Sequence, residues 1–174
     1  MSNLENPSQP KIKWGLLFAG LFLLIILGWL GFRIVFPDST TFFAASAPEN
    51  LGVEAGKLAD CPTTVNCISS QAEDAEHGID PIAYKSENHP DPIADLETIV
   101  KSFDRTKIVA ETSNYLRAEI TSRWFGFVDD VEFYLNEDSG IIEVRSAARL
   151  GESDLGVNRE RMESIRSEFS SSDA

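Results

Sequence analysis

The sequence predicts an α+β protein: a four-stranded antiparallel meander with two helices on one face, preceded by a single N-terminal transmembrane helix. Three observations carry that expectation. Trp14 to Phe32 is an uncharged apolar run long enough to cross a bilayer as a helix. Between residues 107 and 150 apolar and charged residues alternate with a period of two. Helical spacing flanks that region on both sides. The 174 residues carry a formal net charge of −13, and an acidic surface of this kind repels phosphate backbones, which argues against nucleic-acid binding.

The expected organisation runs in order along the chain. Residues 1–13 form a polar cytoplasmic tail, 14–36 a membrane anchor, 37–50 a Ser/Thr/Ala/Pro-rich stalk, and 51–170 an exposed α+β domain. Lys11 and Lys13 precede the apolar run, so the N-terminus is expected inside and the domain outside, in a periplasm or a thylakoid lumen. Trp14 and Trp29 suit the two interfacial zones. Ala45-Ser46-Ala47 resembles a signal-cleavage site but lies well beyond the run, which itself exceeds the usual length of a signal-peptide core. An uncleaved signal-anchor is therefore expected, with the membrane contacted through Trp14–Phe36.

Cys61 and Cys67 are the only cysteines. Outside the membrane the pair predicts a disulfide, worth about 2.4 kcal/mol by loop closure. Their spacing fits neither a zinc knuckle nor a Cys-x-x-Cys redox motif, and the only histidines are His77 and His89. No metal and no cofactor is expected. Residues 51–92 show no sustained period and are punctuated by Pro62, Pro81, Pro90 and Pro92, so an ordered but irregular segment pinned by the disulfide is expected.

Asp91-Pro92 reads as a helix start, with Ile93, Leu96, Ile99, Val100 and Phe103 along the buried stripe. Strands follow over 107–112 and 115–125, the latter with Leu116, Ala118, Ile120 and Trp124 inward. Ser113-Asn114 is the turn between them. After a short Phe125–Val128 loop, Val131, Phe133 and Leu135 face inward. The 136–140 segment turns the chain, and Ile142, Val144, Ala148 and Leu150 complete the inner face. A last helix spans about 157–169, burying Val157, Met162, Ile165 and Phe169.

Register sharpens the outer face. Setting Phe133 opposite Val144 brings Glu132 opposite Arg145, whereas a two-residue slip would set Glu132 beside Glu143. The short loop would set Arg123 opposite Asp130. The outer face should then carry Arg117, Glu119, Arg123, Asp130, Glu132, Glu143, Arg145 and Arg149 as an ion-pair lattice. If residues 51–92 fold over it, their polar groups and the arginines would form a site for an anionic or polar ligand.

Several motifs carry a resemblance. Leu-Gly-Val-x-x-Gly-Lys-Leu at 51–58 precedes Cys-Pro-x-x-x-Asn-Cys-Ile-Ser-Ser-Gln-Ala at 61–72, then His77. Phe-Val-Asp-Asp-Val-Glu-Phe at 127–133, Ile-Glu-Val-Arg-Ser-Ala-Ala-Arg-Leu-Gly at 142–151 and Asp-Leu-Gly-Val-Asn-Arg at 154–159 follow. Over roughly 51–169 the chain resembles the domain-of-unknown-function 1499 family. That resemblance implies uncharacterised proteins of bacteria, cyanobacteria and plastids, often behind membrane segments, and brings no activity or catalytic residue. Val65 stands where the family often has Pro, and Ala148 where it often has Ser. The polar motif residues are Ser69, Ser70, Gln71, Asp74, His77, Asp129, Asp130, Glu132, Arg145, Ser146, Arg149, Asp154, Asn158 and Arg159. Ligand-binding candidates among them are Ser69, Ser70, Gln71, Asp74, His77, Asp130, Glu132, Arg145, Arg149, Asn158 and Arg159.

Three functions are weighed. The first is a non-enzymatic binding or scaffolding module with an envelope or thylakoid membrane partner. The second is a small-ligand domain using the arginine–carboxylate face. The third is a hydrolase with His77 as base beside Ser69, Ser70 or Asp74, for which no nucleophile-elbow motif is present.

Overall fold

The computed structural model describes residues 13–171. They divide into an N-terminal unit ending at Pro37 and a second unit from Asp38 onward. The first unit is α1, Trp14–Val35, a 22-residue helix long and apolar enough to cross a membrane. The expected cytoplasmic tail falls almost wholly outside the described residues.

In the second unit the order is β1 (Cys67–Ser69), β2 (Ile82–Ala83), α2 (Pro92–Ser102), β3 (Thr106–Thr112), β4 (Tyr115–Thr121), β5 (Val128–Asn136), β6 (Ile141–Ala148) and α3 (Val157–Ser171). The predicted meander β3-β4-β5-β6 is present, but the sheet has six strands. β1 and β2 both add antiparallel to β6. The irregular segment thus supplies two short strands that its lack of periodicity concealed. Three paired residues in β1 and two in β2 are too few for alternation to show.

Asp91 caps α2 by accepting the Ala94 N–H at 3.1 Å, and Pro92 takes the first helical position, where no N–H is needed. α2 and α3 cover one face of the sheet. Ile93, Leu96, Ile99 and Val100 of α2 and Met162, Ile165 and Phe169 of α3 join the inward residues of β4, β5 and β6 in one core.

Phe133 faces Val144 and Glu132 faces Arg145, the expected register. The other edge of β5 differs. β4 ends at Thr121, so the β4–β5 loop is longer than expected, and Glu119, not Arg123, faces Asp130. The loop closes on itself, with Ser122 N–H bonded to Phe127 O and Gly126 N–H to Ser122 O. These bonds satisfy the backbone without a partner strand. Trp124 and Leu150, expected inside, lie beyond the strand ends and are exposed. Val157 at the start of α3 is exposed as well.

Residues 38–50 run along the same unit. Thr41 caps a 3-10 turn, Phe42–Ala44, and its hydroxyl donates to Phe125 O at 2.7 Å. Gly126, at φ +76°, makes room: a Cβ there would lie 2.7 Å from Thr41 Oγ1.

Candidate functional site

The alternation of β4, β5 and β6 sends Arg117, Glu119, Asp130, Glu132 and Arg145 to the face opposite the helices, and Arg149 follows just past β6. Glu132 is fully buried. It accepts from Arg145 Nη1 at 3.0 Å, the Tyr115 hydroxyl at 2.7 Å and the Gly52 N–H at 2.8 Å. A buried carboxylate needs such donors to stay ionised. Burial, then the Glu132 charge and hydrogen bond, push the Tyr115 phenol well above its ordinary range, so it remains a donor.

Glu119 and Asp130 are like charges placed opposite each other, a repulsive arrangement by itself. Arg149 resolves it. Its Nε and Nη2 bind both Asp130 oxygens, at 2.7 and 2.8 Å, and Nη2 also reaches Glu119 at 2.5 Å. Arg117 adds a second cation, 3.8 Å from each carboxylate. The Asp130 bonds, outweighing burial, hold the Arg149 guanidinium above its ordinary value. Fork geometry explains why arginine, not lysine, fills this position. The expected partner Arg123 sits in the β4–β5 loop instead, with its guanidinium 5.2 Å from the Trp124 ring centre.

A strip drawn from the end of the expected stalk and from the irregular segment lies over this face. Pro48, Asn50, Asp60, Cys61 and Pro62 form, with Asp130, Arg145, Ala147, Ala148 and Arg149, a cavity of about 380 Å³. Cys61 is joined to Cys67 in a disulfide, with Cα atoms 5.7 Å apart, so the rim is tied to β1, and Cys67 pairs with Ala147 of β6. A second cavity of about 380 Å³ includes Arg149 together with Thr40, Arg105, Lys107 and Glu119.

The remaining candidates fall elsewhere. Ser69 accepts the Gln71 N–H, and Gln71 holds the 56–58 turn through Gly56 O and Leu58 N–H. Ser70 bonds Glu143 and Val144. Asn158 belongs to an inner polar seam. Ser146 donates to its Oδ1, its Nδ2 donates to Asn66 O, and Arg161 links it to Asp129. Burial raises the Asp129 carboxyl despite Arg161. Arg159 donates to the carbonyls of Gly78 and Glu76. Sequence reading passed over Asn66, Tyr115 and Arg161. Tyr115 was legible, two residues before Arg117 on the same outward period.

His77 is held from both sides. Nδ1 lies 2.8 Å from Asp74 Oδ1, and Nε2 lies 3.2 Å from the Thr64 carbonyl. A carbonyl only accepts, so Nε2 donates. A carboxylate at Nδ1 then favours the imidazolium. Its bond to Asp74, outweighing burial, raises the His77 pKa above 6.5, while backbone and side-chain bonds from His77 lower that of Asp74. With Nδ1 on Asp74 and Nε2 on the Thr64 carbonyl, both ring nitrogens are engaged within the fold and neither is turned toward a substrate for general-base work. Ser69 meets His77 only through the backbone, its N–H donating to His77 O at 2.9 Å, and neither serine hydroxyl bonds the imidazole. Among the described residues no group of three or more His, Cys, Asp or Glu side chains is placed to hold a metal ion.

Comparison with known proteins gives one family. The model of a protein of unknown function, DUF1499, matches residues 57–169. No curated protein matches the chain.

Proposed function

Given that the chain belongs to the DUF1499 family, we propose that it is a membrane-tethered binding module. Its ligand site is the cleft between the disulfide-pinned strip and the arginine–carboxylate face of the sheet. The observation that carries this reading is the cavity beside Arg145, built where the irregular segment crosses β6. Its lining presents both signs of charge, Arg145 and Arg149 against Asp60 and Asp130. That mixture suits a small polar molecule with an anionic group for the arginines and a donor for the acids. α1 supplies the tether. The Cys61–Cys67 disulfide supports an oxidising compartment, periplasmic or lumenal, for the second unit. A hydrolase centred on His77 has weaker support, because both ring nitrogens are already engaged.

A thermal-shift screen of small carboxylates, phosphates and amino-acid-like zwitterions on the full chain in mild detergent tests the site. Stabilisation by one class, abolished by Ala147→Leu, which fills the cavity beside the Arg145 and Arg149 ion pairs, in a variant that still melts cooperatively without ligand, is the expected result. No response to any class, or an undiminished response in Ala147→Leu, refutes it.

A further inference from the structure

We propose that the end of the second unit formed by the β4–β5 loop, residues 150–157 and Phe42 docks on the surface of the bilayer in which α1 is anchored. This rests on the reading of α1 as a membrane anchor.

The two ends of the sheet differ sharply. One carries the Ser113-Asn114 turn and the polar 137–140 turn with Glu137 and Asp138. The other exposes Phe42, Trp124, Phe125, Leu150, Leu155 and Val157. Phe42 is 79% and Leu155 94% exposed. Apolar residues this bare and this clustered mark an interaction surface.

Leu155 adds an independent sign. It sits at φ +57°, in the left-handed region that disfavours a bulky side chain. Two local bonds hold it there: Leu155 N–H to Ser153 Oγ at 3.3 Å and Gly156 N–H to Asp154 Oδ1 at 3.1 Å. The fold spends backbone strain to present a leucine to the outside.

Chain connectivity selects the partner. Thr41 bonds Phe125 O, and the Phe43 ring packs 6.1 Å from Phe125 and 5.2 Å from Phe127, so the chain joins the unit at its apolar end. Only residues 36–40 separate Thr41 from the end of α1. Six extended Cα steps reach about 21 Å. That reach lets the apolar end meet the headgroup zone, where aromatic rings with a polar edge are favoured. Trp124, with Arg123 over its ring, has that character. The acidic body gives no attraction to anionic lipid, so the contact is with the interface itself and not with headgroup charge.

The test uses the full chain in phosphatidylcholine vesicles containing lipid spin-labelled near the headgroup. Trp14→Phe with Trp29→Phe leaves Trp124 as the sole tryptophan; Trp14→Phe with Trp124→Phe leaves Trp29. The first pair alters only α1, so folding of the second unit is not at stake. Trp124 should lose emission on the same scale as Trp29. A polarity-sensitive dye on Leu155→Cys should shift to the blue, while the same dye on Asp138→Cys should not. Quenching of Trp29 with Trp124 untouched overturns the docking and leaves the anchor standing. Failure of both overturns anchor and docking together. A Trp124 shielded from aqueous iodide yet insensitive to the lipid quencher would mean a protein covers this end, which also refutes the proposal.

Discussion

Removing one member of the Glu132–Arg145 pair should be among the most damaging single changes in the second unit. Glu132 is fully buried, and Arg145 is 5% exposed. Arg145→Met leaves the carboxylate with only the Tyr115 hydroxyl and the Gly52 N–H as donors, at 2.7 and 2.8 Å, and with Arg117, its register partner on β4, as the neighbouring cation. Breaking a buried pair from one side costs about 3–5 kcal/mol. The two surviving donors place this case near the lower bound, about 3 kcal/mol. For a domain of this size that corresponds to a Tm lower by about 12 °C. Glu132→Gln alone strands the Arg145 charge and should cost a similar amount. The double variant, Glu132→Gln with Arg145→Met, removes both charges and should lose less than the sum by at least about 2 kcal/mol. Urea unfolding of the four proteins in the same mild detergent, followed by far-ultraviolet circular dichroism, closes the cycle. Additive losses, or single losses below about 1 kcal/mol, would refute the reasoning. They would mean that water reaches the pair and screens it.

Three further outcomes are expected. Reducing the disulfide, or replacing Cys61 and Cys67 by Ala, should lower stability by about 2 kcal/mol from loop closure alone; thermal melts with and without reductant check it. His77, with its pKa raised above 6.5 in the fold, contributes stability that is complete below the unfolded value and fades as pH rises through the folded one. His77→Ala should flatten the stability profile above pH 6.5, and an imidazole proton resonance titrating at or below 6.5 would contradict the geometry. Gly126→Ala introduces a Cβ against Thr41 at a positive φ and should cost about 1–2 kcal/mol. Limited proteolysis should then cut within residues 38–45, and unchanged protection there would count against the packing.

What the sequence alone determined were the features carried by local periodicity. The uncharged run from Trp14 specifies a helix. The alternation of Leu116, Ala118 and Ile120 and of Val131, Phe133 and Leu135 specifies two strands and their inner face. Because a one-residue slip inverts a strand, those faces limited the register to two-residue steps, and the repulsion of Glu132 by Glu143 in the alternative selected Phe133 against Val144 and Glu132 against Arg145. Tertiary structure alone decided what depends on loop length and on contacts distant in sequence. Asp130 found Arg149 instead of Arg123 because the β4–β5 loop takes its residues from the end of β4. β1 and β2 exist because β6 offered an open edge, since their own residues show no period. The candidate residues divided among an outer ion-pair lattice, an inner seam at Asn158 and the His77 clamp, which sequence order could not separate. Side chains close in sequence, such as Arg145 and Ser146, point to opposite faces of one strand, and only the strip laid over one of those faces creates a cavity there.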